Sequence, residues 1–329
     1  MRALEADPSE SGGEPVLRIV DAERPQIAAD EMLVGVRATA LNRADLLQVR
    51  GFYPPPPGES EIPGLECAGE VLEVGSDVES FAVGDRVMAL LAGGGHATEV
   101  AVPAAQAMPI PEGLSWAEAA ALPEAALTCW TNLVVEGQLQ PGQTCVITAA
   151  ASGIGTFGVQ LARALGATTI AAGRDGGRLQ RVRELGADHC VLLDEDLVAE
   201  VRRLTDGRGA DLVMDLVGGA GFKSYLEALA TRGRLVLVGL MAGPHAELDL
   251  SLVLRNRLQI VGSVLRGRSR AEKAGLVASF WEFAREALAD GTLRPVVDSQ
   301  RPFEELPEAY AAMAKGGQLG KMVLITEPA

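Results

Sequence analysis

From about residue 125 to 265 short apolar runs alternate with amphipathic ones. The apolar runs are Cys145–Thr148, Thr169–Ala172, Cys190–Leu193, Leu212–Asp215, Leu235–Val238 and Ile260–Val264. Between them Arg178–Leu185, Leu197–Leu204 and Phe222–Ala230 carry apolar residues at helical spacing. Strands joined by crossover helices predict a parallel, doubly wound six-stranded α/β sheet of the Rossmann kind. Its first strand runs into the turn Ala149-Ala150-Ala151-Ser152-Gly153-Ile154-Gly155-Thr156, and a helix is predicted from about Thr156 to Leu165, ending at Gly166.

The first third reads differently. Leu33–Val36, Ala68–Val74, Val87 after its Val83–Arg86 turn, and Ala97–Val102 predict closely spaced strands with frequent glycine, as in a small, partly open β-barrel. Ala40–Gln48 has helical spacing. Gly51-Phe52-Tyr53-Pro54-Pro55-Pro56-Pro57-Gly58 follows, and four prolines dictate a stiff extended loop that carries two of the chain's ten Phe and Tyr side chains. After residue 265, Ala271–Ala289 predicts a helix with Leu276, Phe280, Phe283, Ala284, Ala287 and Leu288 as its apolar stripe. Pro295–Gln300 predicts a strand, Glu304–Ala314 a helix and Lys321–Ile325 a last strand.

Composition narrows the function classes. A chain of 329 residues suggests about two domains. A net charge of −15 argues against nucleic acid as a partner, because phosphate would be repelled over most of the surface. The four cysteines stand at least 16 positions apart, which does not suit a structural zinc site. Cys145 and Cys190 are expected in the core, and the scattered His96, His189 and His245 at the surface or in turns. No secretory signal and no membrane-spanning run is seen, so a soluble cytoplasmic protein is expected.

Candidate chemistry centres on the small-residue turn. Ser152, Gly153, Ile154 and Gly155 open a helix whose N–H groups can receive a pyrophosphate, and the surrounding sheet makes this a dinucleotide site rather than a packing turn. Gly218, in Val217-Gly218-Gly219, and Gly239, Leu240 and Met241 are expected at the same carboxyl edge of the sheet. The loop after the second strand, Gly173-Arg174-Asp175-Gly176-Gly177-Arg178, offers two readings. Asp175 would repel a 2′-phosphate, whereas Arg174 and Arg178 would grip one; the charge count favours NADPH over NADH.

Several motifs stand in one order: Ala40-Leu41-Asn42-Arg43-Ala44-Asp45-Leu46, the Gly51–Gly58 loop, Pro63-Gly64-Leu65-Glu66-Cys67-Ala68-Gly69, Val83–Val87, Met108–Leu114, Leu122-Pro123-Glu124-Ala125 with Leu127-Thr128, and Gly320-Lys321-Met322-Val323. In this order they resemble the zinc-independent quinone oxidoreductase, or zeta-crystallin-like, branch of the medium-chain dehydrogenase/reductase superfamily. The resemblance spans nearly the whole chain. It implies a discontinuous GroES-like barrel domain over 1–125 and 266–329 and a dinucleotide-binding domain over 126–265.

The resemblance also implies roles. Asn42 and Tyr53 would face an acceptor in a cleft beside the cofactor, with Asp45 as a further candidate that also suits a helix cap. Thr128 and Gly239 would lie near the nicotinamide, and Lys321 is a candidate cofactor contact as well as a candidate solvated strand end. Zinc-dependent relatives have a ligand Cys where Asn42 stands and Gly-His-Glu where Gly64-Leu65-Glu66 stands, and their third ligand position falls near Glu124. No metal is expected. The expected activity is NADPH-dependent quinone reduction. Alternatives are an enone or enoyl-thioester reductase with Tyr53 as proton donor, and a non-catalytic NADPH- or RNA-binding protein. A homodimer is expected through the edge strand near 258–264.

Overall fold

The computed structural model describes residues 1–7, 15–193 and 196–326. From the N-terminus, β1 (Arg2–Asp7) and β2 (Val16–Asp21) pair antiparallel. Then come β3 (Glu31–Ala40), α1 (Arg43–Val49), β4 (Glu66–Val74), β5 (Arg86–Leu90), β6 (Glu99–Pro103), β7 (Ala107–Pro109), α2 (Trp116–Ala120) and α3 (Pro123–Trp130). The alternating middle of the chain forms β8 (Thr144–Ile147), α4 (Gly153–Ala164), β9 (Thr168–Gly173), α5 (Gly176–Glu184), β10 (His189–Leu192), α6 (Leu197–Leu204), β11 (Ala210–Asp215), α7 (Phe222–Glu227), β12 (Leu229–Leu237), α8 (Leu250–Asn256) and β13 (Gln259–Gly262). The chain closes with α9 (Arg270–Ala289), β14 (Val297–Pro302), α10 (Leu306–Lys315) and β15 (Lys321–Ile325).

The described chain divides into two compact units, Met1–Leu127 with Arg266–Ala329, and Thr128–Leu265. In the first, seven mainly antiparallel strands follow the order β14-β15-β3-β4-β5-β7, with β6 also beside β3. Inward side chains from five of these strands, among them Met32, Val34, Cys67, Val71, Val87, Ala89, Val100, Val102 and Ala107, meet in one core. A flat sheet could not bring them together, so the sheet curls into an open barrel. A second core joins α1 and α10 to β1 and β15 through Leu4, Leu46, Phe303, Tyr310, Met313 and Leu324.

In the second unit all six strands are parallel, in the order β10-β9-β8-β11-β12-β13. The order reverses at β8, and the carboxyl edge at such a switch point is where ligands bind in sheets of this kind. Val146, Ile170, Val191, Val213 and Leu235 of the strands are buried against Leu197, Val201, Phe222, Tyr225 and Leu226 of the helices. Runs of apolar residues buried on both faces are what a covered parallel sheet requires.

Candidate active site

The small-residue turn lies between β8 and α4. Ser152 is the N-cap of α4: its side chain accepts from the Gly155 N–H at 3.0 Å. The helix therefore begins at Gly153, earlier than the sequence pattern suggested, because glycine carries no apolar side chain to mark a helical face. Near such an N-terminus the first N–H groups, here those of Gly153 and Ile154, lack intrahelical acceptors and suit an anion. A Cβ at 155 would lie 2.5 Å from the Ala149 carbonyl oxygen and 2.6 Å from the Ala150 Cα, so only glycine lets helix and strand approach this closely. The residues present thus fit a pyrophosphate.

Neighbouring features of the same unit support this edge. Asp215, fully buried at the end of β11, accepts from the Val217 N–H at 2.8 Å and the Gly218 N–H at 2.9 Å, which fixes the turn after that strand. Burial raises its pKa, and those two N–H groups and the Thr148 hydroxyl hold the rise back. Gly218 has φ 64°, in the region that favours glycine. A Cβ on Gly239 would meet the Leu216 carbonyl oxygen at 2.6 Å. Leu240 and Met241 are about half exposed, at 51% and 52%. Thr128 is buried, and its carbonyl accepts from the Asn132 amide at 2.7 Å.

The loop after β9 pairs Asp175 with one of its two arginines. Asp175 is the N-cap of α5, accepting from the Arg178 N–H at 2.9 Å. Its carboxylate also lies 3.3 Å from the Arg178 guanidinium. Arg174 is exposed.

In the first unit, residues far apart in sequence converge on one buried cation. The Lys321 ammonium donates to Asn42 Oδ1 at 2.6 Å and is paired with Glu66. The Asn42 amide donates to Glu66 Oε1 at 3.0 Å, and the Glu124 N–H donates to Glu66 Oε2 at 2.9 Å. Asn42, Asp45, Glu66 and Lys321 are all buried. Asn42 and Asp45 form a capping box at the start of α1, with the Asn42 N–H donating to Asp45 Oδ2 at 2.6 Å. Lys321 is therefore no solvated strand end.

Burial raises the Asp45 pKa to about 6, against the hydrogen bond from Asn42 and the charge of Lys321. Glu124, only partly exposed, is pushed up to about 8, first by burial and then by the neighbouring Glu66 carboxylate. His96, expected at the surface, is completely buried. Its Nδ1 lies 2.9 Å from the Tyr310 hydroxyl, and burial pushes its pKa down to about 3. Sequence distance hid this contact: the two residues are 214 positions apart.

Tyr53 lies within electrostatic reach of Glu124. It is partly buried, with the Arg266 guanidinium 5.2 Å from its ring centroid. Its pKa is raised by burial first and then by Glu124, with Arg266 opposing. Glu66 and Glu124 drew attention in the sequence only at or near the metal-ligand positions of zinc-dependent relatives, which was the available signal for them; Arg266 carried none.

The residues at the metal-ligand positions of zinc-dependent relatives do not fit a zinc ion. Leu65 offers no donor, and the Asn42 carbonyl oxygen is taken by an ammonium. Among the described residues, no group of three or more His, Cys, Asp or Glu side chains is arranged to hold a metal. No described helix is long and apolar enough to cross a membrane.

Comparison with known proteins places these features in context. Residues 28–112 match the alcohol dehydrogenase GroES-like domain, and residues 153–280 match the zinc-binding dehydrogenase family. A quinone oxidoreductase-like protein 2 homolog of Nematostella vectensis is 32% identical over 319 residues, covering 96% of this chain and 87% of that protein. Among solved structures, an NAD-dependent alcohol dehydrogenase superposes with a TM-score of 0.87 at 31% identity, covering 99% of this chain and 100% of the other. The Escherichia coli quinone oxidoreductase complexed with NADPH gives a TM-score of 0.86 at 27% identity, again covering 99% and 100%.

Proposed function

The chain belongs to the medium-chain dehydrogenase/reductase superfamily, among its quinone oxidoreductase-like members, and from that premise we propose that it is an NADPH-dependent quinone oxidoreductase that works without zinc. One observation carries the zinc-free reading: the Lys321 ammonium, held by Glu66 and Asn42, supplies the local positive charge among the residues that replace the zinc ligands. NADPH, when bound, supplies the hydride. The protein's own work is to bind, orient and exclude water.

Each residue then has a stated task. Ser152, Gly153, Ile154 and Gly155 hold the pyrophosphate. Asp175 is occupied as a helix cap and paired with Arg178, which lessens its claim on a ribose hydroxyl, and exposed Arg174, with Arg178 beside the cap, is assigned to a 2′-phosphate. Thr128, Gly218, Gly239, Leu240 and Met241 border the nicotinamide half. Tyr53 offers its ring and hydroxyl to the acceptor. Asn42, whose amide is committed to Lys321 and Glu66, serves through that network together with Asp45. Lys321 likewise acts from within the network. Barrel and cofactor domains correspond to 1–125 with 266–329 and to 126–265.

The test is titration of nicotinamide binding with NADPH and NADH, followed by turnover against a panel of quinones and enones. Tighter NADH binding would refute the roles given to Arg174 and Arg178. A second reading, an enone or enoyl-thioester reductase, would use the partly buried Tyr53 hydroxyl, held near Arg266, as the proton donor. A Tyr53→Phe variant that retains quinone turnover but is inactive on an enone selects that reading. The protein acts on small molecules in the cytoplasm as a homodimer. Edge strand β13 pairs only with β12 among the described strands, and Ile260 and Val264 are exposed there.

A further inference from the structure

Arg266 opens the C-terminal segment of the first unit and is 4% exposed. A buried guanidinium is usually paired with a carboxylate, yet the hydrogen bonds of this one go to neutral acceptors on three separate segments. Nε donates to the Ala92 carbonyl at 2.7 Å. One terminal nitrogen donates to the Tyr53 carbonyl at 2.9 Å, and the other to the Gln48 side-chain oxygen at 2.7 Å. The same guanidinium lies against the Tyr53 ring.

Gln48 extends the clamp. Its amide donates to the Glu61 carbonyl at 2.9 Å, so one side chain ties α1 to the far side of the proline loop. The loop is also pinned at its start, where the Phe52 N–H donates to the Leu47 carbonyl at 2.8 Å. Beyond that point Phe52 is 77% exposed, whereas Tyr53 is turned inward. Four prolines stiffen the loop but leave Tyr53 no backbone pairing with a strand. Arg266 holds both the Tyr53 carbonyl and the face of its ring.

We infer that Arg266 is the positioning residue for Tyr53, fixing both its backbone and its ring plane so that the acceptor meets a rigid aromatic wall. The role needs a planar fork with several donors, which lysine cannot reproduce even though it keeps the charge. The inference rests on the reading of Tyr53 as the acceptor-facing residue. It adds a determinant of acceptor fit.

The test exploits the tyrosine count. The chain has three tyrosines, Tyr53, Tyr225 and Tyr310, so 3-fluorotyrosine labelling gives three fluorine signals, and Tyr53→Phe identifies the first. In Arg266→Met and Arg266→Lys the Tyr53 signal is expected to shift or broaden while those of Tyr225 and Tyr310 stay in place. In parallel, kcat/KM for the acceptor falls by roughly tenfold to a hundredfold, with NADPH affinity unchanged. If Arg266→Met fails to fold, Arg266→Lys decides. An unmoved Tyr53 signal in a folded variant overturns the inference, and so does a joint shift of all three signals, which would make Arg266 a general fold residue. The two readings fail separately: a wild-type protein inactive on every quinone and enone refutes the proposed function, while the fluorine signals still report on Arg266.

Discussion

Replacing Lys321 with methionine removes the ammonium and keeps a side chain of similar length. In the native protein Lys321 is 5% exposed and its partner Glu66 is completely buried. Glu66 draws on three donors: Lys321, the Asn42 amide and the Glu124 N–H. The substitution leaves a buried carboxylate with two neutral donors, and the Asn42 carbonyl oxygen loses its partner. Breaking a buried ion pair from one side costs about 3–5 kcal/mol. A domain stable by about 5–15 kcal/mol survives such a loss, so the variant stays measurable. Hydrogen exchange followed by mass spectrometry reads it locally: protection of peptides covering Glu66–Val74 and Lys321–Ile325 falls by that amount. Peptides of β8 and β9 in the other unit serve as the unchanged reference. Adding Glu66→Gln removes the stranded charge and restores most of the loss. A change below about 1 kcal/mol, the worth of a solvent-exposed pair, would refute the description of Lys321 as the cation of a closed buried network.

Three other perturbations address other parts of the molecule. The raised Glu124 pKa means that the folded state binds more protons than the unfolded one between the ordinary value of 4.5 and about 8, so stability falls as pH rises through that window. Glu124→Gln removes this slope, worth about 2 kcal/mol after discounting for partial exposure; equal urea midpoints against pH in both proteins would contradict it. Gly155→Ala forces a Cβ against backbone atoms at 2.5 and 2.6 Å, neither of which can move aside like a side chain, and costs about 1–3 kcal/mol. NADPH affinity, read by nicotinamide fluorescence, falls with it, and unchanged binding and stability would overturn the close-approach argument. Ile260 on edge strand β13 is 39% exposed and Val264, two residues past its end, 55%; on α8 Leu250 is 73% and Leu254 79% exposed. Ile260→Lys is expected to convert a dimer to a monomer in light scattering, and a wild-type monomer at micromolar concentration removes the proposed interface.

Legibility in the sequence followed the range of the interaction that determines each feature. The central strands β8, β9 and β11 were readable because burial on both faces leaves an uninterrupted apolar run, a signal contained in four to six residues. The turn at Ser152 was readable for a related reason, since a close approach of backbones demands small residues in succession. Local patterns failed where a few polar residues dilute the signal. Thus β1 and β2 passed unnoticed, and Leu229 and Ala230 were read as the end of a helix although they begin β12. Phe283, expected in the apolar stripe of α9, is 38% exposed.

The polar network was the least legible part, and for a definite reason. Its members come from α1, β4, the start of α3 and β15, and the closing contact, Lys321 to Asn42, spans 279 positions. No periodicity encodes such a contact. A buried ammonium and a buried carboxylate are each expensive alone, and neither residue discloses in isolation that the other will be present. What the sequence did show was the departure: a leucine and an asparagine where zinc-dependent relatives place metal ligands. A site stripped of its metal ligands but keeping Glu66 and Glu124 needs another source of positive charge, or those carboxyls must be protonated. This chain does both, with Lys321 paired to Glu66 and Glu124 pushed by burial and by Glu66 toward its neutral form. The loss of the ligands was legible locally; the compensation for it exists only in the folded chain.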